Sequence, residues 1–104
     1  MKLKVEDIIN VSKGIGVLLE AKLPLRVTRR VRDIAVELNA ESDKVNSNLS
    51  DIQALKNDEE KGKELKEYLS EEVELKAEKI PFKDIENVEM TSGEYSLIES
   101  VVVE

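Results

Sequence analysis

The chain has 104 residues, of which 38% are charged, 40% hydrophobic and 3% aromatic, and its formal net charge is −7. This length is that of one domain, residues 1–104, whose core must be built mainly from Val, Ile and Leu. Because the sequence contains neither Cys nor His, disulfides, thiol nucleophiles, imidazole bases and the usual zinc ligands are excluded within one chain.

The N-terminal region is expected to start with a short strand at residues 3–5. An amphipathic helix then runs from Val5 to about Lys22, because apolar residues recur there at helical spacing. Gly14 and Gly16 weaken its middle by roughly 1 kcal/mol each relative to Ala, and would let another backbone approach closely. Pro24 suits the first position of the next helix. Two helices with so short a joint are expected to fold into a hairpin.

The second helix, about residues 25–56, carries a narrow apolar stripe. At about 100° per residue its seven members fall within roughly 60°. They are Val27, Val31, Ile34, Leu38, Val45, Leu49 and Ile52. So narrow a stripe suits contact with other helices, and a helix of about 45 Å is longer than a compact domain of this size is wide. We therefore interpret the stripe as a helix-packing and oligomer interface. A two-fold dimer is the simplest assembly, and higher cyclic or dihedral states stay open.

The same helix holds all the arginines of the chain, namely Arg26, Arg29, Arg30 and Arg32. One interpretation is an anion-binding site for a phosphate, a nucleotide or an acidic partner, since guanidinium groups match such ligands bidentately. The other is a solvated face that pairs with acidic residues of the same chain or of a second copy.

Charge is divided unevenly along the chain. Residues 1–56 carry six Lys, four Arg and eight acids, a net charge of +2, and residues 57–104 carry six Lys and fifteen acids, a net charge of −9, which together give −7. An acidic chain without a broad basic surface or stacking aromatics is not expected to bind nucleic acid directly.

The acidic second part begins with a predicted third helix over residues 58–69, which has an acidic first turn. The period then changes to two, and this alternation predicts a half-buried strand over residues 73–79, which Ile80-Pro81 ends. A further short strand is expected near Val88.

The C-terminal end is predicted to contain a short helix and a strand. Thr91 is the expected N-cap of the helix, and Glu94 lies at the spacing of a capping box. Val101, Val102 and Val103 form an apolar, strand-prone end. The expected fold class is therefore α+β, mainly α: a helical hairpin (1–56) with one long helix, followed by an acidic helix-strand segment (57–104) with a short terminal helix.

Several stretches of this sequence resemble a family of small uncharacterised proteins from tailed phages and prophages of Gram-positive bacteria. These stretches are Met1–Ile9, Lys22–Leu25, Tyr68–Leu75, Ile80–Glu86 and Leu97–Glu99. Where the family tends to have Pro within the strand, this sequence has Lys76-Ala77. The resemblance implies a phage origin and a location in the host cell cytoplasm or in the virion. It implies no established activity, so no functional residue follows from it.

Three function classes remain, and none is enzymatic. The first is an oligomeric helical interaction module that binds and modulates a host or phage protein. The second is a counter-defence sponge, in which arginines 26–32 of several chains enclose a phosphorylated or nucleotide signal. The third is a head or tail accessory or assembly component of the virion. No cofactor, metal or membrane insertion is expected in any of them.

Overall fold

The computed structural model describes residues 1–104 and has the predicted fold class, mainly α with small strands. The elements are β1 (Lys2–Lys4), α1 (Val5–Gly14), α2 (Gly16–Glu20), α3 (Leu25–Gln53), α4 (Asp58–Leu69), β2 (Glu72–Glu74), β3 (Ile80–Pro81), α5 (Ser92–Ile98) and β4 (Val102–Val103). Two 3₁₀ turns, Phe82–Asp84 and Glu99–Val101, flank the last helix. The molecule measures 49 × 26 × 22 Å, because α3, at about 43 Å, nearly equals its long axis.

The predicted hairpin is present, but its first helix is interrupted. The helix predicted over residues 5–22 is divided into two helices: α1 ends at Gly14, and α2 begins at Gly16 and ends at Glu20. Gly14 and Gly16, on either side of Ile15, have low helix propensity, which explains why the helix is interrupted there. Pro24 is the N-cap residue of α3, one position before the first helical position predicted for it, and its carbonyl accepts the amides of Val27 at 2.9 Å and Thr28 at 3.0 Å.

The apolar stripe of α3 is mostly core of the single chain, which corrects its interpretation as an oligomer interface. Five of its seven residues are at most 4% exposed. They are Val27, Val31, Ile34, Leu38 and Val45. The helices α1 and α2 pack on this side of α3, as does β3. Only Leu49 and Ile52, toward the end of α3, stay half-buried, so the chain itself provides most of the helix packing that the stripe predicted.

The strand predicted over residues 73–79 is limited to β2, which pairs antiparallel with β1 so that Val73 lies opposite Leu3. After β2 the backbone amides of Lys76 and Ala77 donate to the carboxylate of Glu37 on α3, at 2.8 and 3.1 Å. Leu75 still exchanges hydrogen bonds with Met1, at 2.7 and 2.6 Å, and the amides that follow it bind a side chain of α3 instead of a strand.

The interpretation of Ile80-Pro81 as a strand end is also wrong, since these residues form β3. They pair in parallel with Val102 and Val103 of β4, which gives the apolar C-terminal end a partner. The strand predicted near Val88 is a turn, in which the Val88 amide donates to the Ile85 carbonyl at 3.0 Å.

The predicted capping box at the start of α5 is confirmed. Thr91 Oγ1 accepts the Glu94 amide at 3.1 Å, and the Glu94 carboxylate accepts the Thr91 amide at 3.0 Å. None of the helices combines the length and the apolar character needed to cross a membrane.

Candidate functional site

The helical period of α3 spreads its arginines over an arc of about 160° that lies outside the buried stripe. Measured from Leu25 at about 100° per residue, Arg29 and Arg32 lie at about 40° and −20°, whereas Arg26 and Arg30 lie at about 100° and 140°. Arg26 is the one arginine in an ion pair: its Nη2 atom lies 3.5 Å from Oδ1 of Asp84. Pairing with the acidic second part, one of the two interpretations of the arginines, is therefore observed for Arg26 alone.

Arg26 lines the largest cavity described here, which we call the joint cleft. This open cavity of about 770 Å³ lies between the joint of α2 with α3 and residues 83–94. Its apolar wall includes Val17, Leu23, Val27 and Val88. Its charged residues are Glu20, Lys22, Arg26, Lys83, Asp84, Glu89 and Glu94. Arg29, Arg30 and Arg32 do not line it, so the joint cleft does not gather the four arginines into one anion site.

Asp84 is the unusual residue of the joint cleft. Its side chain is 7% exposed, although most aspartates of proteins lie in water. Oδ1 meets only Arg26, at 3.5 Å, which is long for a charge-assisted hydrogen bond. Oδ2 is buried and has no hydrogen-bond partner. Burying a carboxylate costs free energy unless it accepts several hydrogen bonds. The carboxylate of Asp84 can therefore still accept hydrogen bonds from a donor group.

The local fold explains why Asp84 is held in this position. It ends the 3₁₀ turn Phe82–Asp84 that follows Pro81, and the next residue, Ile85, is 2% exposed in the core. The buried Ile85 fixes the turn on one side. The backbone of Asp84 is therefore anchored next to the core, which places its side chain at the joint cleft.

A second candidate surface lies on α3 opposite the buried stripe. Leu25 and Val36 are 62% and 68% exposed there, and they fall within about 60° of Arg29 and Arg32 on the helical wheel. We call Leu25, Arg29, Arg32 and Val36 the outer face. The two apolar residues are eleven positions apart, about 16 Å along the helix, and the two arginines lie between them.

The far end of α3 forms a smaller, half-buried seam with α4. Leu49 and Tyr68 both pack against the core here, Ile52 is half-buried, and Asn48 Nδ2 donates to the Tyr68 hydroxyl at 3.1 Å. No residue of α4 is fully buried. An oligomer contact at Leu49 and Ile52 remains a prediction that the single chain does not test.

The sequence contained a signal for the outer face but none for Asp84. Leu25 and Val36 are apolar residues that share the helical phase of Arg29 and Arg32, which can be read from the spacing. Asp84 is one of fifteen acids in the second part of the chain, and its burial depends on contacts between distant segments. No three acidic residues come together in a group that could hold a metal ion.

No protein-family model matches this sequence, no curated protein matches it, and no solved structure matches its fold. The resemblance to small proteins of phages and prophages therefore stays a prediction.

Proposed function

We propose that this chain is a non-enzymatic interaction module of a phage or prophage, which acts by binding a host or phage protein. The observation that supports this proposal is the outer face, where Leu25 and Val36 are more than 60% exposed on either side of two unpaired arginines. Arginine is enriched among the residues that contribute most at protein interfaces, and the exposed apolar side chains of Leu25 and Val36 would leave water on binding.

The position of the outer face suits binding. It lies on a helix of 29 residues whose opposite side is anchored by five buried residues. A face on so well-packed a helix is held in place before a partner arrives, so that little conformational entropy is lost on binding.

Charge indicates the kind of partner. Arg29 and Arg32 favour an acidic protein surface with an apolar patch for Leu25 or Val36. Residues 57–104 carry a net charge of −9, so an acidic partner is repelled by the second part of the chain and attracted by the outer face. Repulsion by one surface and attraction by the other would select an acidic partner and also fix its orientation.

The two alternatives from the sequence have less support. A phosphorylated ligand enclosed by arginines 26–32 would compete with Asp84 for Arg26. A virion component is compatible with the fold, but no feature of the fold favours it over a soluble partner.

The test is site-specific photocrosslinking in bacterial cells that produce the protein. The crosslinking amino acid p-benzoylphenylalanine replaces Val36 in one variant and the exposed Lys63 of α4 in a control. We expect a discrete crosslinked product at position 36 that is absent at position 63. The charge reversal Arg29→Glu with Arg32→Glu should abolish it. Lys63→Glu with Lys66→Glu, which changes the net charge equally on α4, should not.

Three results would contradict the proposal. One is the absence of a discrete product at position 36, and another is a product that survives reversal of Arg29 and Arg32. The third is a product with twice the 11.7 kDa mass of the chain, which would make a second copy the partner and the outer face an oligomer contact.

A further inference from the structure

The joint cleft contains a binding determinant that the outer face does not use. Asp84 lines this cleft with a side chain that is 7% exposed, and its Oδ2 atom is the one buried side-chain polar atom of the protein without a hydrogen-bond partner. A buried polar atom that lacks a partner costs free energy, and a ligand that supplies a donor recovers it. The unpartnered oxygen therefore indicates a donor ligand, not an anion.

We propose that the joint cleft binds a guanidinium group on an aliphatic stem, the chemistry of an arginine side chain of a partner polypeptide. A guanidinium presents two parallel N–H groups that match both oxygens of one carboxylate. The stem of such a side chain is apolar and suits the wall formed by the half-buried Val17, Leu23 and Val88.

The contact with Arg26 shows that a guanidinium group can reach the carboxylate of Asp84. The Arg26 side chain would therefore compete with the ligand. It makes a single 3.5 Å contact, to Oδ1, and leaves Oδ2 without a partner. Its side chain is 65% exposed, so its head group moves into water at little cost and releases Oδ1. A bidentate ligand gains a hydrogen bond that Arg26 does not make.

The charge of the cleft favours the same ligand. Its side chains include four carboxylates and three cations, counting Arg26 and Asp84. When Arg26 turns into the solvent, four carboxylates face the two lysines Lys22 and Lys83, so that the cleft is more acidic in the state that binds. Glu20 and Glu89 are exposed at the cleft and add a second attraction for a basic ligand.

The experiment is a titration of the full-length, ¹⁵N-labelled protein with N-acetyl-arginine amide, followed by amide chemical shifts. Shifts are expected within residues 17–27 and 83–94. The citrulline analogue has the same shape without the charge, and the lysine analogue has charge without the planar fork. Both should bind at least about fivefold more weakly.

Two variants give opposite expectations, which separates binding from a structural role. Asp84→Asn removes the charge at constant shape and should weaken binding about tenfold or more, as expected for a hydrogen bond to a charged group. Arg26→Gln removes the competitor and should tighten binding roughly two- to fivefold, the range of an exposed ion pair. Glu99→Gln, a substitution outside the cleft, should bind like the parent.

The proposal is overturned if Asp84→Asn binds the arginine amide as the parent does, or if Arg26→Gln fails to tighten binding. Equal binding of the citrulline analogue would also overturn it. Should Asp84→Asn not fold, as judged by its thermal melting, the Arg26→Gln comparison decides alone, because that side chain lies largely in solvent.

Discussion

Replacing Gly14 with Ala is expected to destabilise the protein, because α1 approaches α5 closely at this residue. An added Cβ would lie 2.7 Å from Cβ of Leu97 and 3.0 Å from Cγ2 of Ile98, closer than ordinary van der Waals contact. The Cβ of Leu97 is attached directly to the backbone and has no rotamer that avoids the contact. The whole helix α5 would have to shift away from α1.

Two opposing effects set the magnitude. Overpacking of this kind costs about 1–3 kcal/mol, while Ala gains up to about 1 kcal/mol over Gly in helix propensity. The net change for Gly14→Ala is therefore a loss of about 1–2 kcal/mol. Gly16→Ala is the matched control, because a Cβ there meets nothing within 4 Å. Only the propensity term acts at this exposed position, and the variant should gain about 0.5–1 kcal/mol.

Urea unfolding followed by far-ultraviolet circular dichroism measures both variants. With an m-value of about 1.5 kcal/mol per molar urea, the two midpoints should lie about 1–2 M apart, on opposite sides of the parent. The reasoning is refuted if Gly14→Ala is as stable as Gly16→Ala, since the two helices would then not be in the close contact described.

Three further predictions concern packing and capping. Ile34→Ala should lower the free energy of unfolding by about 2–5 kcal/mol because Ile34 is 0% exposed, whereas Ile52→Ala, at a half-buried position, should lower it by about 1 kcal/mol. Urea unfolding measures both losses. Light scattering measures the oligomer mass, and a change of that mass in Ile34→Ala would restore the oligomer interpretation of the stripe. Glu37→Ala should cost about 1–2 kcal/mol and accelerate hydrogen exchange of amides 76 and 77; unchanged exchange would contradict the observed contact. Thr91→Ala should cost about 1 kcal/mol by thermal unfolding, and an unchanged melting temperature would show that the cap contributes nothing.

The helices could be predicted because their signals are local. The stripe of α3, the proline before it and the capping box at Thr91 each involve residues within a few positions, and all three are found in the fold. The glycines gave a partial signal. Their sequence predicts a close approach, but only the phase of α1 against α5, which depends on tertiary packing, selects Gly14 over Gly16.

The positions of three strands could be predicted approximately, at residues 3–5, 73–79 and 101–103. Their pairing and lengths could not, since their partners are distant in sequence and their lengths are set by the tertiary fold. β3 has two residues, too few for an alternation to show, and its partner Val102 lies 22 positions away from Ile80. After β2, Glu37 accepts the amides of Lys76 and Ala77, which lie 39 and 40 positions away in the sequence. The burial of Asp84 depends likewise on long-range contacts.

The arginines show how a cluster in sequence separates in space. Arg26 lies at least about 60° around α3 from every residue of the outer face, and it contacts Asp84, while Arg29 and Arg32 make no ion pair. The joint cleft and the outer face are therefore separable by substitution. Reversal of Arg29 and Arg32 should leave guanidinium binding to Asp84 within about twofold of the parent, and Asp84→Asn should leave crosslinking at position 36 unchanged. If either substitution abolished both readouts, the two surfaces would be parts of one interface, and the partner would have to contact α3 across about a third of its circumference.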